Sequence, residues 1–266
     1  MIENPGPMIQ LSRRLKVMAD RVPPGDRVAD IGTDHGQLPV YLFERERSPF
    51  VVMTDISQPS LDKAKETAGA YQFGEGVSFR LGNGLEVLDP GEVDTVVIAG
   101  MGGKLIRDIL SADPEKTASF SRFILQPRTA AGALRKWLLE ADFRILSEDI
   151  VEEGHFLPEI ITAGRGENRA PDAGKACGME TSGDPAPDLA AEYRRELAGL
   201  PEEDIRLRVP PWILQAEGPV KEFLARRLDQ ERRVLEGLRR AASPVADKIE
   251  SVQQNIRYLQ ELENSL

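Results

Sequence analysis

Between Arg27 and Ala141 the sequence alternates short, β-rich apolar runs with stretches of helical period, and this alternation limits the fold more than any other feature. Strand-like runs fall at Arg27 to Ile31, Phe50 to Asp55, Val77 to Leu81, Thr95 to Ala99 and Phe123 to Leu125. Helical spacing follows over Leu38 to Arg45, Pro59 to Ala70, Leu105 to Leu110 and Ala130 to Ala141. Successive βα units predict a mainly parallel sheet with helices on both faces, an α/β, doubly wound, Rossmann-like architecture. Two later runs, Arg144 to Val151 and Phe156 to Ala163, are joined by a Glu-Glu-Gly-His connection with no helix between them. They predict a hairpin with an antiparallel strand at the sheet edge. Ahead of the first strand, Leu11, Leu15, Met18 and Val22 mark a helix that Pro23-Pro24-Gly25 stops.

The rest of the chain reads differently. Residues 1–163 hold the α/β domain, 164–204 read as a flexible insertion or linker, and 205–266 form a C-terminal region. From Gly164 to Pro187 the composition turns to Gly, Pro, Ala, Asp and Ser, too few large apolar groups to build a core. Asp188 to Leu200 has the character of a short helix, and Ile205 to Val209 that of a strand returning to the second domain or the sheet edge. After Gly218-Pro219, Phe223, Leu224, Leu228, Leu235 and Leu238 keep helical phase, and Val245, Ile249, Val252, Ile256, Leu259 and Leu262 resume it after Ser243-Pro244. Ser243 suits a cap and Pro244 a first helical position, so the two helices are expected to fold back as an antiparallel, coiled-coil-like hairpin.

Several function classes are excluded at this level. No apolar run approaches the roughly 20 residues of a membrane span, and the amino terminus lacks the apolar stretch of a secretory signal. The expectation is a cytoplasmic protein without membrane association. Cys177 is the only cysteine, which excludes an internal disulfide and a cysteine metal cluster, and no other metal-ligand spacing occurs, so no metal is expected. A net charge of −10 argues against indiscriminate coating of nucleic acid, yet leaves room for local basic faces. Two exist, Arg13, Arg14, Lys16, Arg21 and Arg27 near the start, and Lys221, Arg226, Arg227, Arg232, Arg233, Arg239 and Arg240 near the end. The expected assembly is a monomer or weak homodimer.

The stretch VADIGTDHGQLPV, residues 28–40, carries the chemistry. A strand ending in Asp30-x-Gly32, with a second strand ending in Asp55, is the skeleton of a nucleotide-recognising α/β site in which Asp55 accepts from ribose hydroxyls. Gly32 permits a tight turn and close ligand approach. Asp34 stands where a dinucleotide loop usually has its middle glycine, and a fixed carboxylate there repels a pyrophosphate. S-adenosylmethionine has no phosphate and bears a sulfonium and an ammonium group, so it suits Asp30 and Asp34.

Three segments, LSRRLKVMADRVPPGDRVADIGTDHGQLPVYL, LGNGLEVLDPGEVDTVVIAGMGGKLIRDIL and FILQPR, resemble the bacterial tRNA (adenine-22-N1)-methyltransferase family in order and separation. The resemblance covers residues 8 to 163, continues faintly through Gly218-Pro219 and the hairpin, and omits Gly164 to Pro187. It implies a methyltransferase sheet using S-adenosylmethionine, with tRNA as partner. Carried over residue by residue, it implies that Asp30, Gly32, Asp55 and Ile56 hold the cofactor, with Asn83 and Gly84 beside its adenine and Ala99 and Gly100 along it. The family usually has aspartate where Asn83 stands; an asparagine oxygen still accepts from an amino group, without charge. Met101, Gly102 and Gly103 are expected at the rim where the target base enters, with Gln126, Pro127 and Arg128 beside the substrate and Arg13 and Arg14 on the RNA. Arg128 replaces an amide usual in the family.

Adenine N1 presents an in-plane lone pair, so alignment and stabilisation of the charge that moves onto the ring matter more than a base. Asp34 is the leading candidate for that stabilisation and His35 a second. Because N1 lies on the Watson-Crick edge, a paired adenine has to rotate out before it reacts. Two alternatives stay open on the sequence: a small-molecule methyltransferase, and a noncatalytic cofactor- or RNA-binding protein whose hairpin recruits a partner.

Overall fold

The computed structural model describes residues 9–69, 76–165, 194–240 and 246–266. In chain order the elements are α1 (Arg13–Arg21), β1 (Val28–Ile31), α2 (Gln37–Glu44), β2 (Val51–Asp55), α3 (Gln58–Gly69) and β3 (Val77–Leu81). They continue with β4 (Thr95–Gly102), α4 (Gly103–Ser111), α5 (Pro114–Ala118), β5 (Arg122–Thr129), α6 (Ala131–Glu140), β6 (Arg144–Ile150) and β7 (Glu159–Gly164). The C-terminal part holds α7 (Ile205–Arg208), a 3-10 turn (Ile213–Gln215), α8 (Val220–Arg239) and α9 (Ala246–Asn264).

One seven-stranded sheet runs in the order β3-β2-β1-β4-β5-β7-β6. Strands β1 to β5 are parallel, and β7 lies antiparallel to both β5 and β6. The expected hairpin is therefore present, with its second strand placed inward against β5. From β1 the chain steps outward through β2 and β3, then crosses back to place β4 on the other side of β1. That reversal opens a crevice beyond the carboxyl ends of β1 and β4, where ligands bind in open α/β sheets.

Alternation along each strand divides the core between the two faces. Val28, Val51, Met53, Val97 and Ile124 pack with Met18, Val22, Leu38, Leu42 and Ala64 beneath α1, α2 and α3. Ala29, Ile31, Val52, Val96, Ile98, Phe123 and Leu125 pack with Ile106, Leu110, Leu134 and Leu138 beneath α4 and α6. Burial on both faces is why these strands read as continuous apolar runs. Phe143 meets Phe123 edge-to-face at 5.5 Å and Trp137 at 5.7 Å, so Trp137 serves the core.

The C-terminal helices form the expected hairpin. Phe223, Leu224 and Leu228 of α8 share a cluster with Ile256, Leu259 and Leu262 of α9, and Asn255 donates to Glu231 at 3.0 Å. Ser243 and Pro244, expected to cap and start the second helix, lie outside the described residues, as do residues 166–193 of the insertion. Residues 194–198 are helical, and Leu197 there is buried against Leu139 and Leu207.

One expectation is corrected: Ile205 to Val209 is not a strand but the helical turn α7. The Asp204 carboxylate accepts from the Arg206 amide and caps it, and Pro210 follows its end. The alternation of Ile205, Leu207 and Val209 that suggested a strand serves two cores at once. Ile205 and Val209, four apart, face the hairpin, while Leu207 faces α6.

A buried ion cluster joins the sheet to the hairpin. Arg135 of α6, 0% exposed, donates to Glu148 of β6 at 2.7 Å, to Glu159 of β7 at 2.5 Å and to the Leu207 carbonyl at 3.0 Å. Arg227 of α8 reaches Glu159 at 2.8 Å. No helix among the described residues is long and apolar enough to cross a membrane.

Candidate functional site

The crevice beyond β1 and β4 holds a cavity of about 550 Å³. Of the residues singled out in the sequence, Arg14, Asp30, Gly32, Asp34, His35, Asp55, Ile56, Asn83, Gly84, Ala99, Gly100 and Met101 all line it. Arg13, Gly102, Gly103, Gln126, Pro127 and Arg128 do not.

The floor comes from the ends of β1 and β2. Asp30 is buried, and its carboxylate accepts from the Thr33 hydroxyl at 2.7 Å. Loss of solvent raises the Asp30 pKa to about 6, with the nearby Asp55 charge adding to the rise while the Thr33 hydrogen bond and the Arg14 charge oppose it. Asp55 accepts from the Ser57 amide at 2.8 Å and from the Asp34 amide at 3.4 Å. Its backbone carbonyl accepts from Gly82 at 3.0 Å, which ties the Gly82-Asn83-Gly84 loop to the same floor. Asn83 donates to Glu86 at 3.4 Å.

Gly32 takes φ 74, a left-handed conformation that strains any residue with a β-carbon, and the mobile end of Met101 lies over it, its Cε 2.3 Å from where a β-carbon would stand. Asp34 has φ 45, a left-handed conformation that Asp tolerates better than most residues and that often marks functional loops. Its side chain is 59% exposed, pairs with Lys63 of α3 at 3.4 Å and lies 3.6 Å from His35 Nε2. Gly36 is the N-cap of helix α2, and the partners of the Asp34 carboxylate are the Lys63 and His35 side chains rather than the helix amides.

Opposite the floor, β4 is irregular. Its register with β5 shifts between Ala99 and Met101, so Gly100 forms a bulge, with φ 76 and open space where a side chain would stand. The buried Gln126 of β5 accepts from the Gly100 amide at 3.1 Å and from Arg14 at 3.3 Å, and its own amide donates to the Pro127 carbonyl at 3.1 Å. Gly103 is the tight seat of α4 on β5, where a β-carbon would meet the Ala130 carbonyl at 2.4 Å. Arg128 is exposed on the strand end and Arg13 is exposed near Glu152, 3.4 Å away.

Sequence reasoning missed Thr33, which holds Asp30, Lys63, which faces Asp34, and the apolar wall of Leu105 and Ile109 on α4. Thr33 was legible as the hydroxyl between two acids. Lys63 lies a helix away, and nothing in its spacing points to the site.

The basic faces are more neutralised than a charge count suggests. Arg14 pairs with Glu153 at 2.8 Å, Arg27 with Asp94 at 3.1 Å, and Arg21 with Asp149 and Glu217. On the hairpin Arg226, Arg233 and Arg240 pair with acids one turn earlier, while Lys221, Arg232 and Arg239 have no ion-pair partner among the described residues. No group of His, Cys, Asp and Glu among the described residues is placed to hold a metal ion.

Three carboxylates on one cavity, a bulge open to a ligand and a bounded apolar wall suit a cationic nucleoside rather than a diphosphate. Comparison with known proteins agrees. Residues 11–161 match the family described as a methyltransferase domain. A tRNA (adenine(22)-N(1))-methyltransferase of Bacillus subtilis (strain 168) is 36% identical over 162 residues, 61% of this chain and 68% of that protein. The crystal structure of the B. subtilis m1A22 tRNA methyltransferase TrmK superposes with a TM-score of 0.75 at 27% identity, covering 96% of this chain and 99% of that one. Streptococcus pneumoniae Sp1610, solved in complex with S-adenosyl-L-methionine, shares the fold with a TM-score of 0.68 at 24% identity, covering 96% and 100%.

Proposed function

We propose, from the premise that this chain belongs to the tRNA (adenine(22)-N(1))-methyltransferase family, that it methylates N1 of adenine 22 in the D-loop region of tRNA, using S-adenosylmethionine. The observation that carries the reading is the convergence of Asp30, Asp34 and Asp55 on one cavity at the β1/β4 crevice.

The residues present fit the cofactor. Asp55 and Asn83 offer acceptors for a ribose and an adenine amino group, and Asp30 offers a buried carboxylate to a cation. The bulge at Gly100 leaves space beside them. When bound, the cofactor supplies an electrophilic methyl group on a sulfonium.

The chain's part is alignment and charge. Adenine N1 needs no base, because its lone pair lies in the ring plane. Asp34, exposed at the rim, accepts from the exocyclic amino group of the adenine and favours the positive charge that grows on the ring. His35 supports the same carboxylate. Met101 and Leu105 give the apolar side against which a rotated base packs and from which water is excluded. Arg13 and the exposed Lys221, Arg232 and Arg239 supply phosphate contacts, and the acidic remainder limits nonspecific binding. The protein works in the cytoplasm as a monomer or weak homodimer.

The test is transfer of labelled methyl groups to unmodified tRNA, followed by digestion and nucleoside identification. The expected product is 1-methyladenosine. Methylation at another adenine atom, or donor binding with no transfer to any tRNA, would contradict the reading and favour the small-molecule or noncatalytic alternative.

A further inference from the structure

We propose that Gln126 is a positioning residue of the site, a strut that locks the Gly100 bulge to Arg14, rather than a group that touches the tRNA. This inference rests on the reading above.

Gln126 is 4% exposed and does not line the cavity. Both ends of its side chain are occupied within the protein. The carbonyl oxygen accepts from the Gly100 amide at 3.1 Å and from Arg14 at 3.3 Å, and the amide nitrogen donates to the Pro127 carbonyl at 3.1 Å. An amide so engaged has little left to offer a base.

What the strut holds is consequential. Bulges re-aim the side chain that follows them, and here that side chain is Met101, whose methyl group closes over Gly32 on the cofactor side of the cavity. A hydrogen bond to the bulge amide therefore fixes the wall shared by donor and target base. The same oxygen draws in Arg14 of α1, which Glu153 holds from the other side at 2.8 Å. Arg14 faces Asp30 across the cavity and stabilises its ionised form. The other charged groups around Asp30 are Asp55 on β2, Asp34 and His35 in the same loop, and Lys63 on α3 through Asp34.

The experiment is a double-mutant cycle of Gln126→Leu and Arg14→Ala, read in methyl transfer and in donor binding without tRNA. Gln126→Leu should lower kcat about 10- to 100-fold, with the KM for tRNA within about threefold, as expected for lost alignment. Adding Arg14→Ala to Gln126→Leu should cost less than about twofold more, because coupled residues fail as a unit. The pH midpoint of donor binding should rise alike in both single variants. Should the leucine variant fail to fold, Gln126→Glu, which keeps an oxygen facing both donors, enters the cycle and should retain more kcat than Gln126→Met. A raised KM for tRNA with unchanged kcat, multiplicative losses in the cycle, or an unmoved pH midpoint would overturn the strut. Absence of methyl transfer by the wild type would instead overturn the functional reading, and the donor-binding midpoints would still test the strut.

Discussion

Asp34 combines a left-handed backbone with an exposed carboxylate, and the two can be separated experimentally. Glycine accepts φ 45 without strain, so Asp34→Gly removes the carboxylate while keeping the loop. If the carboxylate stabilises charge on the reacting ring, the variant loses about 100-fold in kcat or more, with donor affinity changed less than about threefold. Equal turnover in the two proteins would remove Asp34 from the chemistry. Asp30 makes a different prediction, in pH. Its pKa is raised from 3.8 to about 6, so between those values the folded, ligand-free protein holds a proton that the unfolded chain has released. Ionisation of Asp30 therefore lowers the stability of the free protein as pH rises through about 6, and a cationic ligand that prefers the ionised form binds more tightly over the same interval. Titration calorimetry from pH 5 to 7 should show donor affinity rising, approaching tenfold per unit below the Asp30 pKa, and Asp30→Asn should flatten the profile. A flat profile in the wild type would contradict the assignment. Much of this level was legible in VADIGTDHG, because an acid where a phosphate-binding loop needs glycine excludes one ligand class on charge alone. Gln126 was legible only as a motif letter. That its amide faces inward follows from the β4 bulge, a long-range pairing that no local pattern announces.

At the level of elements, the Arg135 cluster is the joint between the sheet and the hairpin. Burial raises the Glu148 pKa, the Arg135 charge opposing it, while the two carboxylates keep the guanidinium protonated against its own burial. Arg135→Met should lose about 3–5 kcal/mol, because it leaves carboxylates buried without their cation. That loss should shrink as pH falls toward the carboxylate range, since a group whose folded pKa is raised contributes most favourably when protonated. Thermal or denaturant unfolding at pH 5 and pH 8 measures both effects, and a loss independent of pH would contradict the account. The βα alternation made most of the elements legible, since the central strands are buried on both faces and the helices between them lay apolar residues on the sheet. It failed at α7, where a capping Asp204 and two separate cores turned a strand-like alternation into one helical turn. Strands β4 and β5 also run beyond their apolar runs, because Ala99 to Gly102 and Gln126 to Thr129 pair with each other rather than with solvent.

Across the whole molecule, an acidic chain that binds a polyanion has to concentrate its cations, and most of those near the crevice already have acidic partners. Exposed ion pairs contribute about 0–1 kcal/mol each, so phosphates can compete for their arginines at small cost, but only at low ionic strength. The KM for tRNA should rise several-fold between roughly 50 and 200 mM salt, with kcat nearly constant. Charge reversal at Arg232 and Arg239 should weaken tRNA binding without altering donor affinity; unchanged tRNA affinity would leave the hairpin a brace for the sheet. The most direct measurement of the central claim is methyl transfer to two tRNA transcripts that differ only at nucleotide 22, adenine in one and guanine in the other. The account predicts one methyl group per molecule on the first, recovered as 1-methyladenosine, and background on the second. Equal labelling of both transcripts, or of neither, would contradict it.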